Sequence, residues 1–123
     1  MKKILVVDDE TNITSLLSAY LESTGKFEVR SENSGERGYE CARQFKPDLI
    51  LLDIMMSDMG GDGLADKIKK DAALRKTPII FLTGIVTKEE VQANNGVIGG
   101  YPYIAKPILA MHELIDCIEA NLK

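Results

Sequence analysis

The stretch ILVVDDETN at residues 4–12 decides the fold, because four apolar residues run directly into three adjacent acids. The apolar residues do not alternate with polar ones, which is typical of a parallel strand covered on both faces. Asp8, Asp9 and Glu10 then follow without a basic residue between them. Because neighbouring carboxylates repel one another, these acids require water or a cation at the end of a buried strand.

Apolar runs of strand length recur at 49–52 (LILL) and 79–82 (IIFL). A shorter second strand is predicted at Phe27 and Val29, and a fifth at Tyr101–Ile104. Apolar residues with the 3.6-residue period of amphipathic helices lie between these strands and after the last one. The helical positions are Ile13, Leu16, Leu17, Tyr20 and Leu21 in the first helix, Tyr39, Ala42 and Phe45 in the second, Leu64 and Ile68 in the third, and Met111, Leu114, Ile115, Ile118 and Leu122 in the last.

Turn and capping residues delimit the helices. Gly25 is expected to end the first helix and Pro47 to close the second. Thr87 and Glu90 have the spacing of a capping box, which predicts a short fourth helix that stops at Gly96. The chain therefore alternates strand and helix five times. This order predicts an α/β fold with a doubly wound, five-stranded parallel sheet and helices on both faces.

Composition excludes several classes of function. Fifteen basic against nineteen acidic residues give a formal net charge of -4, which argues against direct binding of nucleic acid or of an anionic membrane. The apolar runs are too short to span a bilayer, and no N-terminal signal segment is present. Cys41 and Cys117 fall in helical patterns and are expected to be small core residues. We expect one domain, 1–123, in a soluble cytoplasmic protein.

Five polar residues lie at or near predicted strand ends: Asp8 and Asp9 at the first, Asp53 at the third, Thr83 at the fourth and Lys106 at the fifth. Ligands of open parallel sheets bind at this edge, where the strand order reverses. A site with few carboxylate ligands and an open side suits Mg²⁺ best. Asp53 can attack phosphorus, while Lys106 and Thr83 can stabilise an oxyanion. Together these residues predict a phosphoryl-transfer site.

Four motifs carry a resemblance to a known family: VVDDE at 6–10, LLDIMM at 51–56, LTG at 82–84 and YIAKP at 103–107. In order, and over essentially the whole chain, they resemble the receiver domains of two-component response regulators. The resemblance implies a CheY-like, flavodoxin-like fold with strand order 2-1-3-4-5. It also implies a signalling domain that catalyses only its own phosphorylation and dephosphorylation.

The resemblance further implies roles for individual residues. Asp53 would accept a phosphoryl group from a histidine kinase or a histidine phosphotransfer protein. Asp8, Asp9 and Asp53 would hold Mg²⁺ together with the backbone carbonyl of Met55. Lys106 would pair with the phosphoryl oxygens.

The family also implies a switch. Thr83 would move to hydrogen-bond the phosphoryl group, and Tyr103 would change rotamer with it, which alters the face formed by the fourth helix, fifth strand and fifth helix. Tyr101 is interpreted as strand packing. The segment NNGVIGGYPY at 94–103 departs from the family pattern, so we expect a short or irregular fourth helix there. For this reason the downstream protein partner cannot be transferred from the family, and phosphorylation-linked dimerisation stays open.

Alternatives from other classes are weaker. A flavin carrier would need a phosphate-cradling loop after the first strand, where this chain has acids. A phosphatase with an aspartyl nucleophile usually carries a second Asp two residues on, where this chain has Met55. The remaining alternative is a pseudo-receiver that binds partners without control by phosphorylation. His112 and the charge run KKD at 69–71 are interpreted as exposed helix residues without a role in the site.

Overall fold

The computed structural model describes residues 1–54, 61–83, 97–98, 101–105 and 111–122. Within these residues, the strands and helices follow the predicted alternation. The predicted fourth helix after Thr87 lies outside them. In chain order the elements are β1 (Lys2–Val7), α1 (Thr11–Ser23), β2 (Phe27–Glu32), α2 (Gly35–Phe45), β3 (Leu49–Asp53), α3 (Gly61–Lys70), β4 (Ile79–Thr83), β5 (Val97–Ile98), β6 (Tyr101–Ala105) and α4 (Met111–Asn121).

The sheet has the order β2-β1-β3-β4-β6-β5. All pairings from β2 to β6 are parallel. If β6 is counted as the fifth parallel strand, this is the predicted order 2-1-3-4-5. The strand order reverses at β1, whose two neighbours are β2 and β3. The carboxyl ends of β1 and β3 therefore flank the expected ligand-binding crevice.

A short strand that sequence reasoning did not predict extends one edge of the sheet. Val97 pairs with Pro102 and Ile98 with Tyr101, both in antiparallel register. This register leaves two residues, Gly99-Gly100, between the paired strands. The five predicted parallel strands are present, and this antiparallel strand is an addition to them. It was not predicted because the Gly-rich segment was expected to hold a short or irregular fourth helix.

The core consists of two layers, one on each face of the sheet. Along β1, Leu5 and Val7 pack with α2 and α3, whereas Ile4 and Val6 pack with α1 and α4. All four side chains are fully buried. The alternation of side chains along a strand explains why a continuous apolar run serves both layers. The doubly wound architecture with helices on both faces is confirmed.

Gly25 and Pro47 lie just after α1 and α2, as predicted, and a cap that was not predicted begins α2. Gly25 has a positive φ of 74° just after α1, a conformation that glycine adopts without steric penalty. Ser34 caps α2 by accepting a hydrogen bond from the backbone N–H of Arg37, which satisfies an otherwise unpaired donor of the first turn. Lys46 takes the left-handed conformation after α2, directly before Pro47.

Candidate functional site

Four of the predicted site residues lie at the carboxyl ends of three adjacent strands. Asp8 and Asp9 follow β1, Asp53 is the last residue of β3 and Thr83 is the last residue of β4. Strand β3 pairs with β1 on one side and with β4 on the other. Parallel pairing thus brings these residues, which are up to 75 positions apart in the chain, to one edge of the sheet.

Asp8, Asp9 and Asp53 form an acidic cluster. One carboxylate oxygen from each residue lies within 4.8 Å of the corresponding oxygens of the other two. Asp8 is fully buried, Asp53 is 2% exposed and Asp9 is partly buried. At an effective dielectric near 20, two ionised carboxylates at this separation repel by about 3 kcal/mol. The cluster therefore favours a bound cation.

The donors of the cluster fit Mg²⁺. Its described ligands are carboxylate oxygens, which hard divalent cations prefer over the nitrogen and sulfur ligands of zinc. In phosphoryl-transfer sites Mg²⁺ usually binds few carboxylates and completes its coordination with water or phosphate oxygens, which a cluster of three carboxylates allows. These residues can hold the cation that the sequence motifs imply.

Hydrogen bonds with neighbouring segments hold Asp8. Its backbone N–H donates to the carbonyl oxygen of Glu32 over 3.2 Å. The backbone N–H of Glu10 donates to Oδ1 of Asp8 over 2.9 Å, and Nδ2 of Asn33 donates to the carbonyl oxygen of Asp8 over 2.8 Å. Sequence reasoning did not identify Asn33. An Asn next to a helix cap is usually a turn residue, and nothing local points to a partner 25 positions away.

Thr83 and Tyr103 lie on neighbouring strands. Thr83 is fully buried and pairs in register with Ala105, while Phe81 pairs with Tyr103. The rings of Phe81 and Tyr103 have centroids 5.1 Å apart. Tyr101 also contacts Phe81, with a centroid distance of 5.0 Å. Tyr101 therefore packs as predicted, and Tyr103 stands two residues before the strand partner of Thr83.

The other predicted site residues are not among those described. Lys106, which we expect to pair with phosphoryl oxygens, and Met55, whose carbonyl we expect to bind Mg²⁺, both lie outside the described part of the chain. His112 is described and is exposed on α4, in agreement with the prediction. Cys41 is buried and Cys117 is partly buried. Burial raises the pKa of both thiols.

The family model of the response regulator receiver domain matches residues 4–119. The chain belongs to this family. It is a receiver domain of two-component signalling, and the resemblance found in the sequence motifs is confirmed. Receiver domains take phosphoryl groups from histidine kinases and bind Mg²⁺ at an acidic pocket. This receiver domain has an acidic cluster, which consists of Asp8, Asp9 and Asp53.

Curated relatives of this receiver domain are transcriptional regulators. It is 36% identical over 121 residues to the nisin biosynthesis regulatory protein NisR of Lactococcus lactis subsp. lactis, covering 98% of this chain and 50% of NisR. It is 39% identical over 122 residues to the transcriptional regulatory protein SrrA of Staphylococcus aureus, covering 98% of this chain and 48% of SrrA. The chain thus spans about half the length of the curated relatives it matches.

Solved structures share the fold of this receiver domain over nearly its whole length. The chemotaxis protein CheY4 of Vibrio cholerae aligns with a TM-score of 0.83 and 26% identity, covering 99% of both chains. The response regulator TrrA of Thermotoga maritima, solved in complex with Mg²⁺ and BeF, aligns with a TM-score of 0.79 and 30% identity. That alignment covers 99% of this chain and 100% of TrrA.

No helix in the described part of this receiver domain has both the length and the apolar character needed to cross a membrane.

Proposed function

We propose that this receiver domain accepts a phosphoryl group on Asp53, in a Mg²⁺-dependent reaction, from a histidine kinase or a histidine phosphotransfer protein. The observation that carries the proposal is the acidic cluster. Three carboxylates lie within 4.8 Å of one another at the carboxyl ends of β1 and β3. A structural role alone gives no reason to gather like charges beside a buried Thr83, whereas phosphoryl transfer needs a cation and a carboxylate nucleophile at one place.

Asp8, Asp9 and Asp53 would hold Mg²⁺, with the carbonyl oxygen of Met55 as a further ligand. Bound there, Mg²⁺ would neutralise the carboxylates and offset the negative charge of an incoming phosphoryl group. A family relative, TrrA, was solved in complex with Mg²⁺ and BeF, which supports this assignment. The partial exposure of Asp9, beside the buried Asp8, agrees with an opening through which a donor phosphate reaches the site.

Asp53 is the proposed nucleophile. Its carboxylate oxygen attacks phosphorus, so that a P–O bond forms as the P–N bond to the donor histidine breaks, and the electron pair of that bond leaves with the imidazole nitrogen. Lys106 would contribute a positive charge to the transferred phosphoryl oxygens. The burial of Asp53 excludes most water from the reacting oxygen, which strengthens the electrostatic interactions of the transferring group.

Thr83 and Tyr103 are the proposed switch. The phosphoryl group adds negative charge and acceptor oxygens, toward which the Thr83 hydroxyl would turn. The Tyr103 ring packs on Phe81. Phe81 lies two residues before Thr83 on β4, and Tyr103 lies two residues before Ala105, the strand partner of Thr83, on β6. A change at Thr83 can therefore reach the Tyr103 ring through neighbouring residues. Phosphorylation would then shift an existing equilibrium toward one arrangement of the face around β6 and α4.

We propose that residues 1–123 form one receiver domain. This domain is its own substrate and does not turn over external phosphoesters. We propose that it acts in the cytoplasm through a downstream protein and binds neither nucleic acid nor membrane directly. Its net charge of -4 supports the absence of direct contact with phosphate backbones. The curated relatives are about twice as long as this chain, so any activity of their other half is not transferred to it.

The test is the intact-protein mass after incubation with Mg²⁺ and a small acyl phosphate. We expect a gain of one phosphoryl group in the wild type with Mg²⁺. Asp53→Asn and a metal-free sample should show no gain, because each lacks the nucleophile or the cation. A folded wild type that binds Mg²⁺ but gains no phosphoryl group would contradict the proposal and favour a pseudo-receiver that only binds partners.

A further inference from the structure

Asn33 connects three segments that meet beside the acidic cluster. It lies in the loop between β2 and α2, and its Nδ2 donates to the carbonyl oxygen of Asp8 over 2.8 Å. The same nitrogen donates to Oγ1 of Thr14 on α1 over 3.1 Å. Thr14 is almost fully buried, and its hydroxyl donates in turn to the carbonyl oxygen of Thr11 over 3.0 Å.

The hydrogen-bond partners in this network determine which groups donate and which accept. An Asn amide nitrogen carries two hydrogens, and a hydroxyl carries one. Because the Thr14 hydrogen goes to Thr11, the Thr14 oxygen can only accept from Asn33. The Asp8 carbonyl can likewise only accept. Both neighbours thus require the nitrogen of the Asn33 amide, rather than its oxygen, to face inward.

The carbonyl that Asn33 contacts belongs to the peptide bond between Asp8 and Asp9. A peptide unit is planar and rigid, so a hydrogen bond to its oxygen restricts the whole plane. That plane sets the position of the Asp9 Cα atom and hence of the Asp9 side chain. In addition, the backbone N–H of Glu10 donates a hydrogen bond to the Asp8 carboxylate. Because the peptide plane contains the Cα atoms of both Asp8 and Asp9, the Asn33 amide acts on the backbone that carries two of the three carboxylates.

We propose that Asn33 is a positioning residue for the acidic cluster, which fixes the peptide plane between Asp8 and Asp9 and thereby sets the affinity for Mg²⁺. The inference rests on the proposed Mg²⁺-dependent function. Asn33 touches neither the cation nor the phosphoryl group and acts only through Asp8 and Asp9. Groups that orient metal ligands typically change metal affinity by 10- to 100-fold when they are removed.

The chain offers a matched control. Nδ2 of Asn121 also donates to a backbone carbonyl, that of Cys117, over 2.8 Å. Asn121 ends α4, close to Glu119, which contacts Lys26 just before β2. It thus lies toward the amino-terminal edge of the sheet, away from the acidic cluster. Asn33→Ala and Asn121→Ala each remove one amide-to-carbonyl hydrogen bond of the same length.

The experiment compares the Kd for Mg²⁺, measured by calorimetric or NMR titration, with thermal unfolding of the metal-free proteins. We expect Asn33→Ala to raise the Kd about tenfold and Asn121→Ala to leave it within about twofold. Both should lower the unfolding temperature slightly. Because Asn33 is exposed, its truncation leaves no buried cavity. At saturating Mg²⁺, the phosphorylation rate of Asn33→Ala should return to that of the wild type.

Thr14 supplies a second, independent variant. Thr14→Val removes the hydroxyl that accepts from Asn33 and should weaken Mg²⁺ binding by less than Asn33→Ala, while Thr14→Ser should bind like the wild type. Equal Mg²⁺ affinity of Asn33→Ala and the wild type would overturn the inference and leave the proposed function intact. A rate that stays low at saturating Mg²⁺ would also overturn it. Failure of the wild type to bind Mg²⁺ would overturn both.

Discussion

The Tyr39 hydroxyl donates a 2.8 Å hydrogen bond to Oδ2 of Asp71, and this bond joins α2 to the turn that follows α3. The Asp71 carboxylate also accepts from the N–H of Ala73 and lies 3.9 Å from Arg43. The bond from Tyr39, followed by that from Ala73, lowers the pKa of Asp71 below its ordinary value. The same hydrogen bond raises the pKa of Tyr39.

Tyr39→Phe should change the pH dependence of stability at the acidic end. The pKa of Asp71 is lower in the folded state than its ordinary value of 3.8. The ionised Asp71 carboxylate therefore stabilises the fold fully at pH values above 3.8. This stabilisation is lost as the pH falls through the folded-state pKa. In the variant, the pKa of Asp71 should rise toward 3.8, which an NMR titration of the carboxyl carbon measures. Tyr20→Phe on α1 is the control. An unchanged Asp71 titration in Tyr39→Phe would contradict the assignment.

Gly38→Ala should destabilise the domain. A Cβ atom on Gly38 would lie 2.9 Å and 3.0 Å from the two methyl carbons of Val7, a buried and conformationally stiff side chain. Overpacking costs about 1–3 kcal/mol, and the higher helix propensity of Ala returns up to about 1 kcal/mol. We therefore expect the free energy of unfolding, measured with urea, to fall by about 1 kcal/mol.

The control is Gly63→Ala at an exposed position of α3, which should be neutral or slightly stabilising. In the background Val7→Ala, the loss caused by Gly38→Ala should largely disappear, because the clashing methyl groups are gone. A double-mutant coupling near zero would show that the contact with Val7 is not the cause.

Mg²⁺ should stabilise the wild type against unfolding. At a concentration of ten times the Kd, binding to the folded state alone adds about 1.4 kcal/mol. Asp53→Asn should raise the free energy of unfolding of the metal-free protein, since it removes one charge from the repelling cluster, and should reduce the stabilisation by Mg²⁺. Thermal scans with Mg²⁺ and with a chelator measure both effects.

Asp66→Asn is the matched control for the loss of an acid. Asp66 forms an exposed ion pair with Lys70 over 2.9 Å, and such pairs contribute at most about 1 kcal/mol. This variant should respond to Mg²⁺ like the wild type. If Asp66→Asn and Asp53→Asn lost the response equally, the acidic cluster would not be the binding site.

Thr83→Ala should separate phosphorylation from its readout. Asp53 remains in place, so the gain of one phosphoryl group should persist. The chemical shifts of β6 around Tyr103, however, should change much less on phosphorylation than in the wild type, because no hydroxyl turns inward. Thr83→Ser keeps the hydroxyl and should retain the full shift changes. Wild-type shift changes in Thr83→Ala would remove Thr83 from the switch.

Several parts of the fold could be predicted because their signals are local. Continuous apolar runs such as 49–52 and 79–82 became buried strands, and the amphipathic stripes became helices. The position of the strand-end acids could also be predicted, since parallel strands place their carboxyl ends at one edge of the sheet regardless of the loops that connect them. These features depend on residue type and period, which the sequence states directly.

Other features depend on partners that are distant in the chain. Asp71 was interpreted as part of a solvated charge run, yet its side chain is only 16% exposed and accepts from Tyr39 on another helix. In the same run, the Lys70 side chain is 76% exposed, so the interpretation was right for Lys70 and wrong for Asp71. The contact of Asn33 with Asp8 was missed for the same reason. Strand β5 pairs with residues close in the chain and was missed because the segment 94–103 was expected to hold a short or irregular fourth helix.

The sequence by itself determined the doubly wound sheet, its two apolar layers and the gathering of Asp8, Asp9 and Asp53 at one edge. Only the tertiary structure decided which polar groups hold these acids in place, because a hydrogen bond such as that of Asn33 needs donor and acceptor within about 3 Å and in line. The pattern of buried apolar residues is unchanged when an element moves by about an ångström, whereas the same movement breaks a hydrogen bond.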